Sequence, residues 1–408
     1  MAGLDIDHHE VIGDPDLALL LADAEGRMAG GLGAAIVEGR ILHLSSKPGG
    51  TAQPQTVRSA EELIDAVAAL PVDDLPHTAA IHLDLDLDAP FGNDTAEQEP
   101  PPDQVIVTLH PSFADSRVVV VAGPGVARSR SEAGLVRLAK RTGWQVLNSW
   151  GAKGVLAWFD DHHAGTVGLQ ALDLDLAEVA EADLVVASGL DPDELGVGGL
   201  GSVPVQEVAP RQLAALTHGW AQCSAVPAPR APFYGAISAA VTPMYESTEV
   251  PLAPARAALH LSGARPEGGI VVADAGVAGF WLARTFPTRE VGSIVVPATL
   301  QPGFAVAAAL VAGVSGRPCV AVVDGPMDEP SRIVAEAAAS MGVGLAVQVW
   351  AGEGSISDAQ GHARLCEAQF AGERGAVEVP IRRGDLDALV DVAGPVVAWP
   401  SADMERGS

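Results

Sequence analysis

The sequence predicts an α/β protein made of three-layer, Rossmann-like domains with mostly parallel sheets, and three observations predict it. Short apolar runs ending in glycine or Asp-Gly recur along the chain, and segments with apolar residues three and four apart follow them. That is the strand-then-helix rhythm of a doubly wound sheet. Hydrophobic residues make up 48% of the chain and aromatics only 4%, so Ala, Val, Leu and Gly must fill the core. Closely packed helices over parallel strands are built this way. Finally, 408 residues suffice for two or three domains, each with its own core.

The elements follow in order. Residues 1–90 contain the apolar run LALLLA (17–22), then AAIV and ILHL. SAEELIDAVAAL (59–70) reads as a helix, with Ser59 and Glu62 at capping-box spacing. AAIHLDLDLDAP alternates with period two and reads as a strand, its His and Asp row forming a solvated face rather than a metal site. Residues 91–104, polar, acidic and proline-rich, read as a linker. In 105–222 the strands are VVVV before Gly-Pro-Gly, WQVLN and ADLVVASG, with a helix over SEAGLVRLAKRTG. Residues 223–254, rich in Pro, Ala and Ser, read as a second linker. In 255–408 the expected strands are GIVVAD, SIVVP, PCVAVVD and VGLAVQVW. Helices are expected near 276–285, 302–314, 328–341 and 358–371, and the terminal stretch reads as a helix and a final strand.

Composition excludes several functions. A formal charge of −28, from 24 basic and 52 acidic residues, argues against nucleic acid or an anionic membrane as partner. Cys223, Cys319 and Cys366 lie far apart with no CxxC pair, which argues against disulfides and structural zinc. No signal-like start and no apolar stretch of about 20 residues is seen, so a soluble cytoplasmic protein is expected.

Among possible sites, Gly123-Pro124-Gly125 lacks the rest of a dinucleotide fingerprint: Arg128 and the NSWG strand end stand where other residues are needed. The turn is still suited to offering N–H groups to a phosphate at a helix start. Lys153 in WGAKG reads either as a phosphate contact or as a solvated turn residue. Asp160, Asp161, His162 and His163 suggest zinc, but a structural reading with Asp161 as a helix cap is favoured. The glycine-rich loops GGLGAAIVEG and GVGGLGSV lack a P-loop lysine.

The succession VVVVAGPGVARSRSEAGLVRLAKRTGWQVLNSWGAKG, HHAGTVGLQ and EADLVVASG resembles the central domain of thiamine-diphosphate-dependent enzymes, the group of acetolactate synthase, benzoylformate decarboxylase and oxalyl-CoA decarboxylase. IVVADAGVAGFWLARTF and VPATLQPGFAVAAALVAGVSGRPCVAVVDG resemble their diphosphate-binding domain, and residues 1–90 the second half of a pyrimidine-binding domain. The resemblance implies a partial pyrimidine-binding-like domain at 1–90, a central domain at 105–222 and a diphosphate-binding-like domain at 255–408.

It also implies thiamine diphosphate and Mg²⁺ as cofactors, with Asp324 as metal ligand in place of the family's Gly-Asp-Gly aspartate. Asp324-Gly325 keeps the Asp-Gly, but Val323 replaces the first glycine and Pro326 follows. The family's Asn is absent: Ala351 lies 27 residues on, with Gln348 and Glu353 the nearest candidates. Glu10 only echoes the family's catalytic glutamate. The cofactor-binding candidates are therefore Asp324, Gly325, Gly123, Gly125 and Lys153. The implied function is a 2-oxo acid decarboxylase or carboligase, incomplete or dependent on a partner such as a separate pyrimidine-binding subunit. A homodimer or homotetramer is expected. The alternative is a degenerate relative acting as scaffold or regulatory subunit, or binding an ADP-containing ligand in the central domain.

Overall fold

The computed structural model describes residues 15–29, 33–37, 41–45, 55–58, 60–68, 78–83, 107–220 and 225–399. Glu10, Ser59, Cys223, Asp84, Asp86, Asp88 and the 91–104 stretch lie outside them. Among the described residues the chain forms three sheets.

The first sheet follows helix α1 (Pro15–Ala29). It comprises β1 (Gly33–Val37), β2 (Ile41–Ser45), β3 (Gln55–Val57) and, after α2 (Ala60–Ala68), β4 (Thr78–Leu83). The order is β1-β2-β4-β3; β3 joins β4 in parallel and the other pairs are antiparallel. At the start of α2, Glu62 accepts the Arg58 N–H at 2.6 Å, a cap that fits its place in the sequence. Gly33 has no alternative residue: a Cβ there would lie 1.8 Å from the Ala22 carbonyl oxygen of α1. The helix itself belongs to another core. Leu17, Ala24 and Met28 pack with Ile270, Phe304 and Val306 of the last sheet's layer. The first segment is thus fastened to the end of the chain.

The second sheet contains β5 (Val118–Ala122), β6 (Gln145–Asn148), β7 (His163–Thr166), β8 (Leu184–Ser188) and β9 (Val205–Glu207). Helices α3 (Pro124–Arg128), α4 (Glu132–Thr142), α5 (Asp173–Leu176) and α6 (Pro192–Leu195) lie between the strands. All pairs are parallel, in the order β7-β6-β5-β8-β9. β5 is central and buried throughout, which is why it reads as unbroken valine rather than as an alternating strand.

Between the second and third sheets run α7 (Pro232–Glu246) and α8 (Pro254–Ala264). The proline- and alanine-rich stretch read as a linker therefore carries a four-turn helix. Its buried Phe233, Ile237, Val241 and Met244 stand four, four and three residues apart, one face of a helix.

The third sheet holds β10 (Ile270–Ala273), β11 (Ile294–Val295), β12 (Cys319–Asp324), β13 (Ala346–Ala351) and β14 (Gly375–Pro380). Its helices are α9 (Val277–Thr285), α10 (Phe304–Val314), α11 (Glu329–Ser340), α12 (Ala359–Phe370) and α13 (Leu386–Ala393). The sheet is parallel in the order β11-β10-β12-β13-β14. The final strand expected after α13 is absent. Instead Val396 forms a lone bridge to Gln170 beside the second sheet, and β14, an edge strand with exposed Gly375 and Glu378, takes the last place.

The second and third sheets are joined by buried polar groups. Arg284 of α9 donates to both carboxylate oxygens of Asp173 at 2.7 and 2.9 Å and to the Thr166 carbonyl at 2.7 Å. Gln170 donates to the Leu389 and Gly394 carbonyls around α13. Replacing Arg284 by Met would leave the buried Asp173 charge without its counter-ion. This substitution is expected to cost about 3–5 kcal/mol in chemical denaturation. A loss under about 1 kcal/mol would refute a structural role for the pair.

Candidate functional site

In an open parallel sheet the chemistry sits where strands end and helices begin. At that end of the third sheet three carboxylates gather. Asp274 follows β10, Asp324 ends β12, and Asp328 caps α11 by accepting the Ser331 N–H at 2.8 Å. Two glycines make the turns: Gly276 (φ 125°) starts α9 and Gly303 (φ 80°) starts α10. The helix starts take up the carboxylates. Asp324 accepts the Val277 N–H at 3.2 Å, and Asp274 accepts the Ala305 N–H at 2.8 Å. Burial first, against the opposing bond from Ala305, and then the nearby charges of Asp328 and Asp324 together hold the Asp274 pKa up at about 7.

The other oxygen of Asp324 faces the Arg383 guanidinium at 3.5 Å. Gly325 has φ 73° and donates its N–H to Trp350, so it makes the turn out of β12. Gln348, the nearest amide for a missing ligand, points the other way. It is fully buried, donates to Gln369 and accepts from His362 and Trp350. Glu353 is exposed on the loop after β13. Among the described residues, no three His, Cys, Asp or Glu side chains come together as a metal site. A magnesium-bound diphosphate needs several oxygen ligands on one cation. Here Asp324 has a helix N–H and a guanidinium beside it instead, so the described residues do not fit that group.

The second sheet places the other candidates. Gly123 and Gly125 do not offer free N–H groups: they donate to the Ser188 and Gly189 carbonyls at 2.8 and 2.9 Å. A Cβ on Gly123 would lie 2.1 Å from the Gly189 oxygen, so this glycine allows two turns to touch. Lys153 is neither solvated nor at an open cleft. It is 3% exposed, and its Nζ lies 5.1 Å from the centre of the Trp158 ring with no hydrogen-bond partner among the described residues. Burial, and secondarily Arg284, lowers its pKa to about 7. His162 and His163 also separate. Asp160, rather than Asp161, takes the His162 ring and N–H, both at 2.9 Å, and His163 lies in β7 with Asn148 at 2.9 Å. Asp160 to His162 form a turn that leads into strand β7, not into a helix that Asp161 would cap.

Several residues of this site escape a reading of the sequence. Asp274 carried a usable signal, since GIVVAD ends a strand just as VAVVD does. Arg383 carried none, because 59 residues separate it from Asp324.

Residues 114–242 match the family described as thiamine pyrophosphate enzyme, central domain. This segment is similar to the central domain of that family. The match covers under a third of the 408 residues, from before β5 into α7. No curated protein matches the chain. Among solved structures, a candidate thiamin diphosphate-dependent enzyme from Mycobacterium smegmatis aligns at 14% identity with a TM-score of 0.49. The alignment covers 66% of this chain and 62% of that one, so the chain spans less than two thirds of that protein's length.

Asp274 supplies a test of the charge balance at this end. Its proton is kept in the folded state between 3.8 and about 7, where the unfolded chain has lost it. Its contribution to stability therefore falls as pH rises through that window. Asp274→Asn should stabilise the protein by a few kcal/mol at pH 8 and by little at pH 4, measured as urea midpoints. Equal effects at both pH values would refute the raised pKa.

Proposed function

We propose that this chain is a relative of the thiamine-diphosphate enzymes that keeps their central domain and does not build a magnesium–diphosphate centre from its own residues. Alone it binds and positions, as a scaffold or regulatory subunit, rather than catalysing decarboxylation or carboligation. One observation carries this reading. The Asp324 carboxylate is held by the Val277 N–H and faced by Arg383, with the nearest amide, Gln348, turned into the core. A hard divalent cation would have to displace the guanidinium and find its remaining ligands elsewhere.

The second reading is a 2-oxo acid decarboxylase or carboligase whose site a partner chain completes. What favours it is that Asp324 still stands 25% exposed at the strand end, with the glycine turn after it. Self-association into a dimer or tetramer is compatible with either reading.

Calorimetry separates them. Titrating the full chain with thiamine diphosphate and Mg²⁺ to millimolar concentration should give no saturable heat, and Asp324→Ala should behave the same. Saturable heat that Asp324→Ala abolishes would overturn the first reading and establish the second.

A further inference from the structure

A cavity of about 300 Å³ lies where the end of α1, the α3–α4 turn and the edge of the third sheet meet. Four arginines line it, Arg27, Arg128, Arg130 and Arg317, against one acid, Glu132. In a chain with 52 acidic and 24 basic residues, this is a concentration of positive charge that the average composition opposes. Arg27 is already committed to Glu194 and to the Val296 carbonyl. Arg130 and Arg317 are different: neither side chain makes a hydrogen bond or ion pair with the described residues.

Both are placed by their backbones. Arg130 has φ 53°, a left-handed conformation that an L-residue adopts at a cost. Its turn is pinned by the Ser129 hydroxyl, which donates to the Gly125 carbonyl at 2.7 Å and to Ser131 at 3.0 Å. Arg317 follows Gly316 (φ 67°) and donates its N–H to the Ala312 carbonyl, closing α10 and leading into β12. Val291, Gly292 and Ile294 to Val296, at the sheet edge, complete the lining. The site owes nothing to the Gly123 and Gly125 N–H groups, which are spent within the fold.

We propose that this cavity binds a small polyanion, a phosphate- or diphosphate-bearing molecule held between Arg130 and Arg317. Guanidinium groups suit such oxygens because their planar forks pair with two at once. The cavity's volume is at the lower end for small-molecule sites, which favours a compact ligand over an extended one. The overall negative charge would repel an anion at long range, so selective uptake needs a local cationic pocket of this kind.

The test uses inorganic pyrophosphate as probe, in EDTA, so that any metal-dependent site at Asp324 stays silent. Calorimetry on the full chain should show one saturable site that weakens as salt rises. In the double variant Arg130→Gly/Arg317→Ala, affinity should fall at least about tenfold. Glycine is chosen because it accepts the left-handed turn, and thermal unfolding verifies that the variant folds. Arg317→Lys should fall between the two, whereas Arg364→Ala, at an exposed position of α12, should change affinity less than about twofold. No binding at millimolar pyrophosphate, or binding that the double variant leaves intact, would overturn the proposal. Either result leaves the Asp324 reading untouched.

Discussion

A carboxylate is stable inside a protein only when a cation and hydrogen-bond donors replace the water it has lost, and the joints between the sheets of this protein are built on that requirement. Glu194 is buried completely. One oxygen takes the Arg27 guanidinium, and the other accepts the Ser149 hydroxyl and the Gly151 N–H. Arg27 then donates to the Val296 carbonyl, so one side chain ties α1, the second sheet and the third sheet together. Asp173 does the same on the other side, taking Arg284 and the N–H groups of Leu169 and Gln170. Where the balance is less complete, the proton is held to higher pH: burial and the neighbouring Glu194, against Arg27, raise the Asp191 pKa to about 6.

The same requirement accounts for the character of the candidate site. Asp274, Asp324 and Asp328 stand near the strand ends of the third sheet, though not as a three-ligand metal cluster. Two of them take N–H groups at the starts of α9 and α10, the third caps α11, and Arg383 brings a guanidinium to Asp324. A carboxylate used in this way holds elements in place. The proposed function rests on this division: the carboxylates at the strand ends of the third sheet are taken up by helix starts and a guanidinium.

Much of the fold could be read from sequence because its signals are local. The apolar runs before Gly123, Asp274 and Asp324 became β5, β10 and β12. The four helices expected in the last third appear at Val277–Thr285, Phe304–Val314, Glu329–Ser340 and Ala359–Phe370, within two residues of expectation at each end. What escaped is non-local or masked by composition. Strand β7 is only four residues long and contains His163 and Gly165, so nothing apolar announces it. The face of α7 was hidden by its prolines and alanines. The chain after α13 looked like a strand, but Val396 met Gln170, 226 positions earlier, rather than the third sheet. At the site, Asp324 could be nominated from its strand end, whereas its guanidinium partner and the inward turn of Gln348 depend on helices brought together by folding.

The central claim, that Asp324 is held by the fold and does not hold a metal, is tested most directly by anomalous diffraction. Crystals of the full chain would be soaked in Mn²⁺ and thiamine diphosphate and measured near the manganese edge. The account predicts no manganese peak at Asp324 and an intact Asp324–Arg383 pair. A manganese ion bonded to the Asp324 carboxylate, with Arg383 displaced, would contradict it.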